Sequence, residues 1–203
     1  MYNKLDDIDL QVEDIERQIK KYNLTFPSLK RNDIENKMRF PYFVNEFYNF
    51  IDEHKKIPMQ CELYSFYKNK HRDIIDKLKD GQLPGLKARI YRAYPSYIRD
   101  LHFAKLLRKK TCFEKVIYNL ELDVKDGIDI LIKHNNKKYA INLYVKTDRS
   151  KYYRKKKNNR HKEHNFINID LPIGFEDSYK LGEFYLYSYR DIVRLFNFIL
   201  KVA

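Results

Sequence analysis

The sequence predicts a protein of the α/β class, more narrowly α+β, in which a helical N-terminal region precedes a mixed β-sheet flanked by helices. Apolar residues recur at helical spacing through much of the first 110 residues. From residue 113 the pattern changes to short runs rich in Ile, Val, Leu and Tyr, which are typical of strands. We therefore divide the chain into an N-terminal heptad-like helix (1–25), a helical region (26–95) and an α/β domain (96–203).

The first predicted helix has a narrow apolar stripe. Between residues 4 and 22 the apolar side chains are spaced by three and four residues, with polar residues between them. This spacing is that of a heptad seam, but it covers fewer than three heptads. The helix could therefore pack on its own domain or pair with a second copy in a homodimer through residues 5–22. The stripe consists of Leu5, Ile8, Val12, Ile15, Ile19 and Tyr22.

Short helices are predicted in the region that follows. The segment 43–56 has helical spacing, and Pro58 is placed to open a second helix at about 59–69. A third short helix is predicted over 71–79, where an Asp-Gly pair ends it. Three short helices with tight turns are compatible with a helix-turn-helix module, whose second or third helix would enter the major groove of DNA. Small three-helix arrangements also occur without DNA binding.

A further helical stretch is predicted to break at Pro95. Helices are expected at about 86–94 and 96–110, because proline cannot donate the backbone hydrogen bond that a helix interior requires. The second of these helices ends in three consecutive basic residues, Arg108, Lys109 and Lys110, which also suit the negative end of a helix dipole.

Strands predominate in the C-terminal half. Asp126-Gly127 and Asn135-Asn136 supply turns between the first three strands, which contain no proline. The predicted elements are strands at 113–123, 127–135, 137–147, 166–173 and 183–189 and helices at 149–163 and 189–202.

Composition excludes several classes of protein. The chain has 203 residues, of which 5 are glycine and 2 are cysteine. Neither GxxxxGK[ST] nor GxGxxG is present, which argues against the common nucleotide-dependent enzymes and predicts no nucleotide or organic cofactor. Cys61 and Cys112 supply neither a disulfide framework nor a zinc site, and we expect buried thiols in a reducing, cytoplasmic protein. No apolar run is long enough for a membrane helix, so no membrane partner is expected.

The excess of positive charge predicts a polyanionic partner. Lys and Arg number 41 against 28 Asp and Glu, which gives a formal net charge of +13. Residues 87–110 hold eight basic residues and one acid, and residues 146–164 hold nine basic residues and two acids. Such clusters are typical of nucleic-acid binding, with DNA favoured over RNA. A solvated face, a localisation signal or an anionic membrane patch can have the same composition.

The basic segment after the third predicted strand is the strongest candidate for phosphate contact. Its lysines and arginines can bind phosphates, and its two adjacent tyrosines can stack on bases or hydrogen-bond to phosphates. The candidate nucleic-acid-binding residues are Arg149, Lys151, Tyr152, Tyr153, Arg154, Lys155, Lys156, Lys157, Arg160 and Lys162, together with Arg108, Lys109 and Lys110 in the preceding helix.

One aspartate and one lysine lie on neighbouring predicted strands. Asp129 is set between two isoleucines, and Lys146 ends the next strand on the same face as Asn142 and Tyr144. A carboxylate can hold Mg²⁺, which lowers the pKa of an attacking water and neutralises a phosphate in a phosphodiester. A nearby lysine can stabilise the developing negative charge. As alternatives, Asp129 could be an edge-strand or turn carboxylate and Lys146 a solvated strand end.

This arrangement resembles the PD-(D/E)xK nuclease superfamily over roughly residues 96–171. Asp129 matches the strand aspartate of that superfamily and Lys146 matches its lysine. Asp100 is the best match for the acid on the preceding helix, with Glu114 or Glu121 as substitutes. The resemblance implies a restriction endonuclease-like fold and a metal site for Mg²⁺ or Mn²⁺ with Asp129 as a ligand.

The sequence departs from the superfamily pattern at the acid two residues before the lysine. Tyr144 occupies that position, and Asn142 lies on the same face. A carboxylate from elsewhere, with Asp148 or Asp126 the nearest in sequence, could replace the missing acid. The resemblance thus implies either a metal-dependent DNA endonuclease, with a catalytic set of Asp129, Lys146, Asp100, Asn142 and Tyr144, or a catalytically inactive DNA-binding accessory or regulatory protein. An RNA-binding protein is a third alternative.

Overall fold

The structure, a computed structural model, describes residues 3–147 and 165–202. The chain divides into two compact units. The sheet unit comprises Met1–Asp7, Arg99–Leu181 and Tyr185–Ala203, and the helical unit comprises Ile8–Ile98 and Gly182–Phe184. Helices precede a mixed sheet, so the predicted α+β class is confirmed. The predicted basic helix at 149–163 lies outside the described residues.

The predicted helix over residues 4–22 is instead two short elements. A 3₁₀ turn spans Lys4–Asp6, and α1 spans Val12–Ile19. The carboxylate of Asp14 accepts a hydrogen bond from the backbone N–H of Gln11 at 3.1 Å, which fixes a separate helix start.

The apolar stripe of this segment is used within the chain. Five of its six residues, from Leu5 to Ile19, are at most 5% exposed. A homodimer through residues 5–22 would therefore find little exposed apolar seam to pair with. The stripe residues that are buried are Leu5, Ile8, Val12, Ile15 and Ile19.

The helical unit contains the short helices that the sequence predicts. After a π-helical turn at Asp33–Lys37 come α2 (Phe43–His54), α3 (Gln60–Lys70) and α4 (Arg72–Ile75). The helix predicted over 71–79 is thus a single turn, too short for a recognition helix.

A single helix, α5 (Gln82–Lys110), runs through Pro95, so the predicted break is wrong. Proline cannot donate to the carbonyl four residues earlier, which is that of Tyr91. The buried side chain of Gln60 supplies the missing donor, because its Nε2 lies 2.9 Å from the Tyr91 oxygen. The same side chain accepts from the Thr25 N–H at 2.7 Å.

The main sheet has four strands in the order β1-β2-β3-β4. Neighbours are antiparallel in the first two pairs, and β4 is parallel to β3. A separate two-stranded sheet pairs β5 with β6, and α6 ends the described chain. The bounds are β1 Lys115–Ile117, β2 Ile130–His134, β3 Lys137–Val145, β4 Ile167–Ile173, β5 Tyr179–Leu181, β6 Phe184–Leu186 and α6 Tyr189–Val202.

Of the strand predicted over 113–123, only Lys115–Ile117 is extended in the structure. After Ile117 the chain forms a π-helical turn, Leu122–Asp126, rather than extended structure. Asn119 Oδ1 accepts from the Leu122 N–H at 3.0 Å, and Gly127 ends the turn with a φ of 69°, which glycine adopts readily. Local capping therefore outweighs the strand propensity of these residues.

Both faces of the main sheet carry apolar residues. One face contributes alternate strand residues that are buried, among them Val116, Ile132, Ile141 and Leu171. Ile192, Leu195 and Ile199 are buried apolar residues of α6, which lies against β4. On the opposite face, a smaller apolar cluster with the half-buried Phe166 consists of Ile117, Leu122, Ile128, Leu131 and Ala140.

Neither cysteine is buried, and no described helix is suited to crossing a membrane. Cys61 and Cys112 are both exposed free thiols, so the expectation of buried thiols is wrong. Cys61 lies in the first turn of α3 beside the buried Gln60, and Cys112 lies in the irregular segment that follows α5. Among the described residues, no helix combines the length and the apolar character needed to cross a bilayer.

We expect the change Gln60→Leu to lower the free energy of unfolding by about 1–3 kcal/mol, because the buried carbonyl of Tyr91 and the backbone groups of Thr25 lose their partners. Urea denaturation measures this loss. In a Pro95→Ala background, residue 95 regains an N–H that can reach Tyr91, so the same change should cost less. Equal costs in the two backgrounds would show that Gln60 does not compensate for Pro95.

Candidate functional site

Asp129 lies just before β2, where its carboxylate completes the hydrogen bonding of β3. The buried Ile128 and Ile130 flank it, and Asp129 itself is half-buried. Its Oδ2 accepts a hydrogen bond from the Leu143 N–H at 2.5 Å. This amide faces the β2 side of β3 beyond the last paired residue of β2. Asp129 therefore acts as a side-chain substitute for a backbone partner.

Asn142 and Asp170 meet on adjacent parallel strands. The register of β3 and β4 sets them opposite each other, and Asn142 Nδ2 donates to Asp170 Oδ1 at 3.1 Å. Continuing the antiparallel register of β2 and β3 by one residue sets Asp129 opposite Asn142. Two carboxylates thus flank one amide across three strands.

Asp170 is a site residue that the sequence analysis missed. Its strand alternates buried and exposed residues, so its exposed position was readable from the sequence. The parallel register that brings it to Asn142 was not readable, since parallel pairing joins residues that are distant in sequence.

A tyrosine hydroxyl lies between β3 and β4 at Tyr144. The Tyr144 N–H donates to Tyr187 Oη at 3.0 Å, and Tyr187 donates onward to the Leu171 carbonyl at 2.7 Å. The Tyr187 ring is fully buried and its centroid lies 4.5 Å from that of Phe103 in α5. Tyr187, which the sequence analysis also missed, therefore holds the two strands together where the side chain of Tyr144 occupies the position of the missing acid.

The acidic residues around this tyrosine raise the pKa of its hydroxyl. Burial raises the pKa of Tyr187 well above its ordinary value, and the negative charges of Asp100 and Asp129 raise it further, while Arg99 lowers it. Asp100 and Asp129 therefore both lie within electrostatic reach of Tyr187.

The alternatives to Asp100 are engaged elsewhere. Glu114 Oε1 accepts from the Asn135 N–H at 2.7 Å, and Glu121 pairs with Lys125 at 2.6 Å. Of the two acids that could replace the one missing at Tyr144, Asp126 ends the π-helical turn and Asp148 lies outside the described residues. The match of Asp100 to the helix acid of the superfamily stays a prediction.

Lys146 follows β3 directly, and its side chain is exposed. Its backbone N–H still donates to the Ile173 carbonyl at 2.8 Å, so the chain follows β4 to this point. Alternation along the strand gives Lys146 the same side as Asn142 and Tyr144. The structure brings together Asp129, Asn142 and Asp170, whereas Lys146 lies in solvent beyond them.

The oxygen atoms at this place suit a hard cation. Asn142 Oδ1 is buried and has no hydrogen-bond partner among the described residues, and carboxylates flank it on both sides. Mg²⁺ takes oxygen ligands and is commonly held by one or two carboxylates while it keeps several waters. Within residues 3–147 and 165–202 there is no cluster of three or more His, Cys, Asp or Glu that could bind a metal. Asp129, Asp170 and Asn142 are the residues that would hold a magnesium ion.

The basic residues of 87–110 serve the fold more than the sequence suggested. Arg99 Nε donates to the Tyr185 carbonyl at 2.8 Å, and Lys105 Nζ donates to the Leu5 carbonyl at 3.1 Å, with both residues buried. Of the predicted nucleic-acid-binding residues that are described, Arg108, Lys109 and Lys110 are exposed at the end of α5. Arg108 also pairs with Asp6 at 3.0 Å. The candidates from Arg149 to Lys162 lie outside the described residues.

Comparison with known proteins found no similar protein. No family model matches the chain, and neither a curated protein nor a solved structure was found to be similar to it. The resemblance to PD-(D/E)xK nucleases therefore rests on the residues and the strand order described above.

We expect Asp129→Ala to lower the free energy of unfolding by about 1–3 kcal/mol, because the Leu143 N–H loses its acceptor. Asp129→Asn keeps an amide oxygen in the same place and should cost roughly half as much or less. Urea denaturation of the two variants gives the comparison. Equal losses would contradict the assignment of Asp129 as an acceptor for β3.

We expect Tyr187→Phe to destabilise the protein below about pH 10, because the bridge between Tyr144 and Leu171 is lost. In the native protein the raised pKa keeps the hydroxyl protonated when the unfolded chain begins to ionise. That stability is complete below the unfolded pKa and is lost as the pH rises from there towards the folded pKa. The difference between the two proteins should therefore shrink by up to about 1.4 kcal/mol per pH unit above about pH 10.

Chemical denaturation from about pH 8 to about pH 11 measures this difference, since other tyrosines titrate equally in both proteins. A constant difference across that range would contradict a buried, neutral Tyr187.

Proposed function

We propose that this protein binds nucleic acid, DNA in preference to RNA, as an accessory or regulatory protein built on a nuclease-like sheet. The observation that carries the proposal is the net charge of +13, with Arg108, Lys109 and Lys110 exposed at the last three positions of α5. Clustered cations of this kind bind the phosphates of nucleic acids without reading their sequence. The preference for DNA follows from the resemblance to nucleases that act on DNA.

Binding without cleavage is the reading that the local contacts favour. The carboxylate of Asp129 is already engaged by the Leu143 N–H, and the expected acid before the lysine is replaced by Tyr144. Lys146 is exposed at the strand end, where it can contact a phosphate of a nucleic acid backbone without taking part in a reaction. These features support phosphate binding without requiring a reaction.

A metal-dependent endonuclease is the second candidate, and Asp170 is the observation that favours it. Asp170 supplies a second carboxylate beside the Asn142 oxygen, which has no hydrogen-bond partner within the described parts of the chain, so Asp129 and Asp170 would hold Mg²⁺ or Mn²⁺. When bound, the metal would lower the pKa of an attacking water and neutralise charge on the phosphate. Lys146 would then stabilise the negative charge that develops on the phosphodiester.

One set of assays separates these functions. Fluorescence anisotropy with DNA and with RNA of the same sequence, at rising salt concentration, measures binding. Supercoiled plasmid and single-stranded DNA incubated with Mg²⁺ or Mn²⁺ measure cleavage, with a chelator as the control. We expect salt-sensitive binding that is tighter for DNA, and no metal-dependent nicking.

Matched variants test whether any cleavage depends on the candidate site. Asp129→Asn and Asp170→Asn remove one carboxylate charge each and preserve the shape of the side chain, and Lys146→Met removes the ammonium group. Nicking that requires metal and disappears in these variants would establish the endonuclease instead of the accessory protein. A protein that shows no salt-sensitive binding to DNA or RNA would contradict both candidates.

A further inference from the structure

The register of the main sheet aligns three lysines that are far apart in the sequence. Lys115 of β1 lies opposite Lys133 of β2, and Lys133 lies opposite Lys138 of β3. Residues directly opposite one another point to the same face, so the three side chains form one row across three strands. We call these three residues the lysine row.

Direct opposition of like charges makes this row unusual. The two-residue turn at Asn135 and Asn136, both with positive φ, joins His134 to Lys137. Those two residues form the hydrogen-bonded pair that closes the turn, so Lys133 and Lys138 form the next, non-hydrogen-bonded pair, whose side chains approach more closely. Like charges in such a position destabilise a sheet.

The acids closest to the row in the sequence make other contacts. Glu114, next to Lys115, accepts a hydrogen bond from the Asn135 backbone, and Glu121 pairs with Lys125. Lys115 and Lys138 are exposed and Lys133 is half-buried. The sheet therefore presents three neighbouring ammonium groups to solvent at a cost in its own stability, which an anionic partner would relieve.

The lysine row lies next to buried apolar residues, and Lys138 also lies beside an aromatic ring. The next residue on the same face of each strand is a buried apolar one, Ile117, Leu131 or Ala140. At the β3 end, Lys138 Nζ lies 5.7 Å from the centroid of the Phe166 ring, a distance typical of a cation–π contact. The contact with Phe166 restricts where the ammonium group of Lys138 can lie.

The row continues towards the exposed end of α5. Arg108 and Lys115 both line an open cavity of about 280 Å³, together with Asn3, Asp6, Phe113, Glu114 and Val116. Arg108 of α5 and Lys115 of β1 thus lie on one stretch of surface in the sheet unit. Of the two acids in the cavity lining, Asp6 pairs with Arg108, and Glu114 lies beside Lys115 and accepts from the Asn135 backbone.

We propose that the lysine row docks the sugar-phosphate backbone of a nucleic acid strand. This inference rests on the proposed nucleic-acid binding and names the surface that performs it. Three strands at sheet spacing place the ammonium groups across about 10 Å, a length over which a nucleic acid strand presents several phosphates. Contacts to phosphates position the strand and carry no sequence preference.

A nucleic acid fits this surface better than a membrane does. Insertion into a bilayer requires exposed apolar side chains beside the cations. In the described part of the chain, the large exposed hydrophobic residues lie outside β1, β2 and β3. On the lysine-row face of these strands, Ile117, Leu131 and Ala140 are buried. The row offers charge alone, which is what a phosphate backbone requires.

The test compares two triple variants of equal charge. The row variant carries Lys115→Gln, Lys133→Gln and Lys138→Gln. The control variant carries Lys21→Gln, Lys77→Gln and Lys79→Gln, which change three exposed lysines of the helical unit. Fluorescence anisotropy with single-stranded and duplex DNA gives the slope of log Kobs against log salt concentration for each protein. Vesicles of phosphatidylglycerol form a parallel arm.

We expect the row variant to bind DNA at least about tenfold more weakly at moderate salt and to lose about 2–3 from the magnitude of the salt slope. The control variant should keep most of the native slope. The row variant should unfold at the same temperature as the native protein or at a higher one, because the like-charge pairs are gone. Thermal unfolding followed by circular dichroism checks this.

Each other outcome overturns a defined part of the proposal. If native protein binds DNA and both variants weaken equally, the row is not the docking surface and the proposed nucleic-acid binding stands. If native protein binds neither DNA nor RNA, the proposed function itself fails. Row-dependent binding to vesicles without binding to DNA would assign the surface to a membrane.

Discussion

The antiparallel register of β2 and β3, which sets Ile130 opposite Ile141, is the constraint on which the functional surfaces depend. Side chains alternate between faces along a strand, so a slip of one residue would move every one of them to the other face. The observed register places Lys133 opposite Lys138 at one end of the sheet. At the other end the same register brings Asp129 to β3. The two-residue turn at Asn135 and Asn136 fixes this register, because it sets His134 opposite Lys137.

Side chains complete the backbone hydrogen bonding at three places where regular structure is interrupted. Gln60 replaces the donor that Pro95 lacks, Asp129 replaces an acceptor for β3, and the Tyr187 hydroxyl bridges β3 and β4. Buried backbone groups are costly to leave unpaired, so such residues are structural whatever else they do. For Asp129 this has a direct consequence, since the carboxylate that a nuclease would use for metal also stabilises the sheet.

Local patterns in the sequence were sufficient for the fold class, the Asn135-Asn136 turn and the face shared by Asn142 and Tyr144, because each depends on neighbouring residues. Features that depend on distant residues could not be predicted. The helix continues through Pro95 because of a glutamine 31 residues from Tyr91 in sequence. Asp170 reaches the site through a parallel register, and Lys138 gains its significance only from its cross-strand neighbours.

The proposed phosphate-binding row requires the observed register of the sheet. Backbone amide NMR spectra of the full chain, recorded during titration with a short DNA duplex, report on both the register and the binding. We expect the largest shift changes at Lys115, Lys133 and Lys138, with a strong Hα–Hα contact between the last two, as non-hydrogen-bonded partners show. Shift changes confined to the helical unit, or no contact between Lys133 and Lys138, would contradict the proposed row.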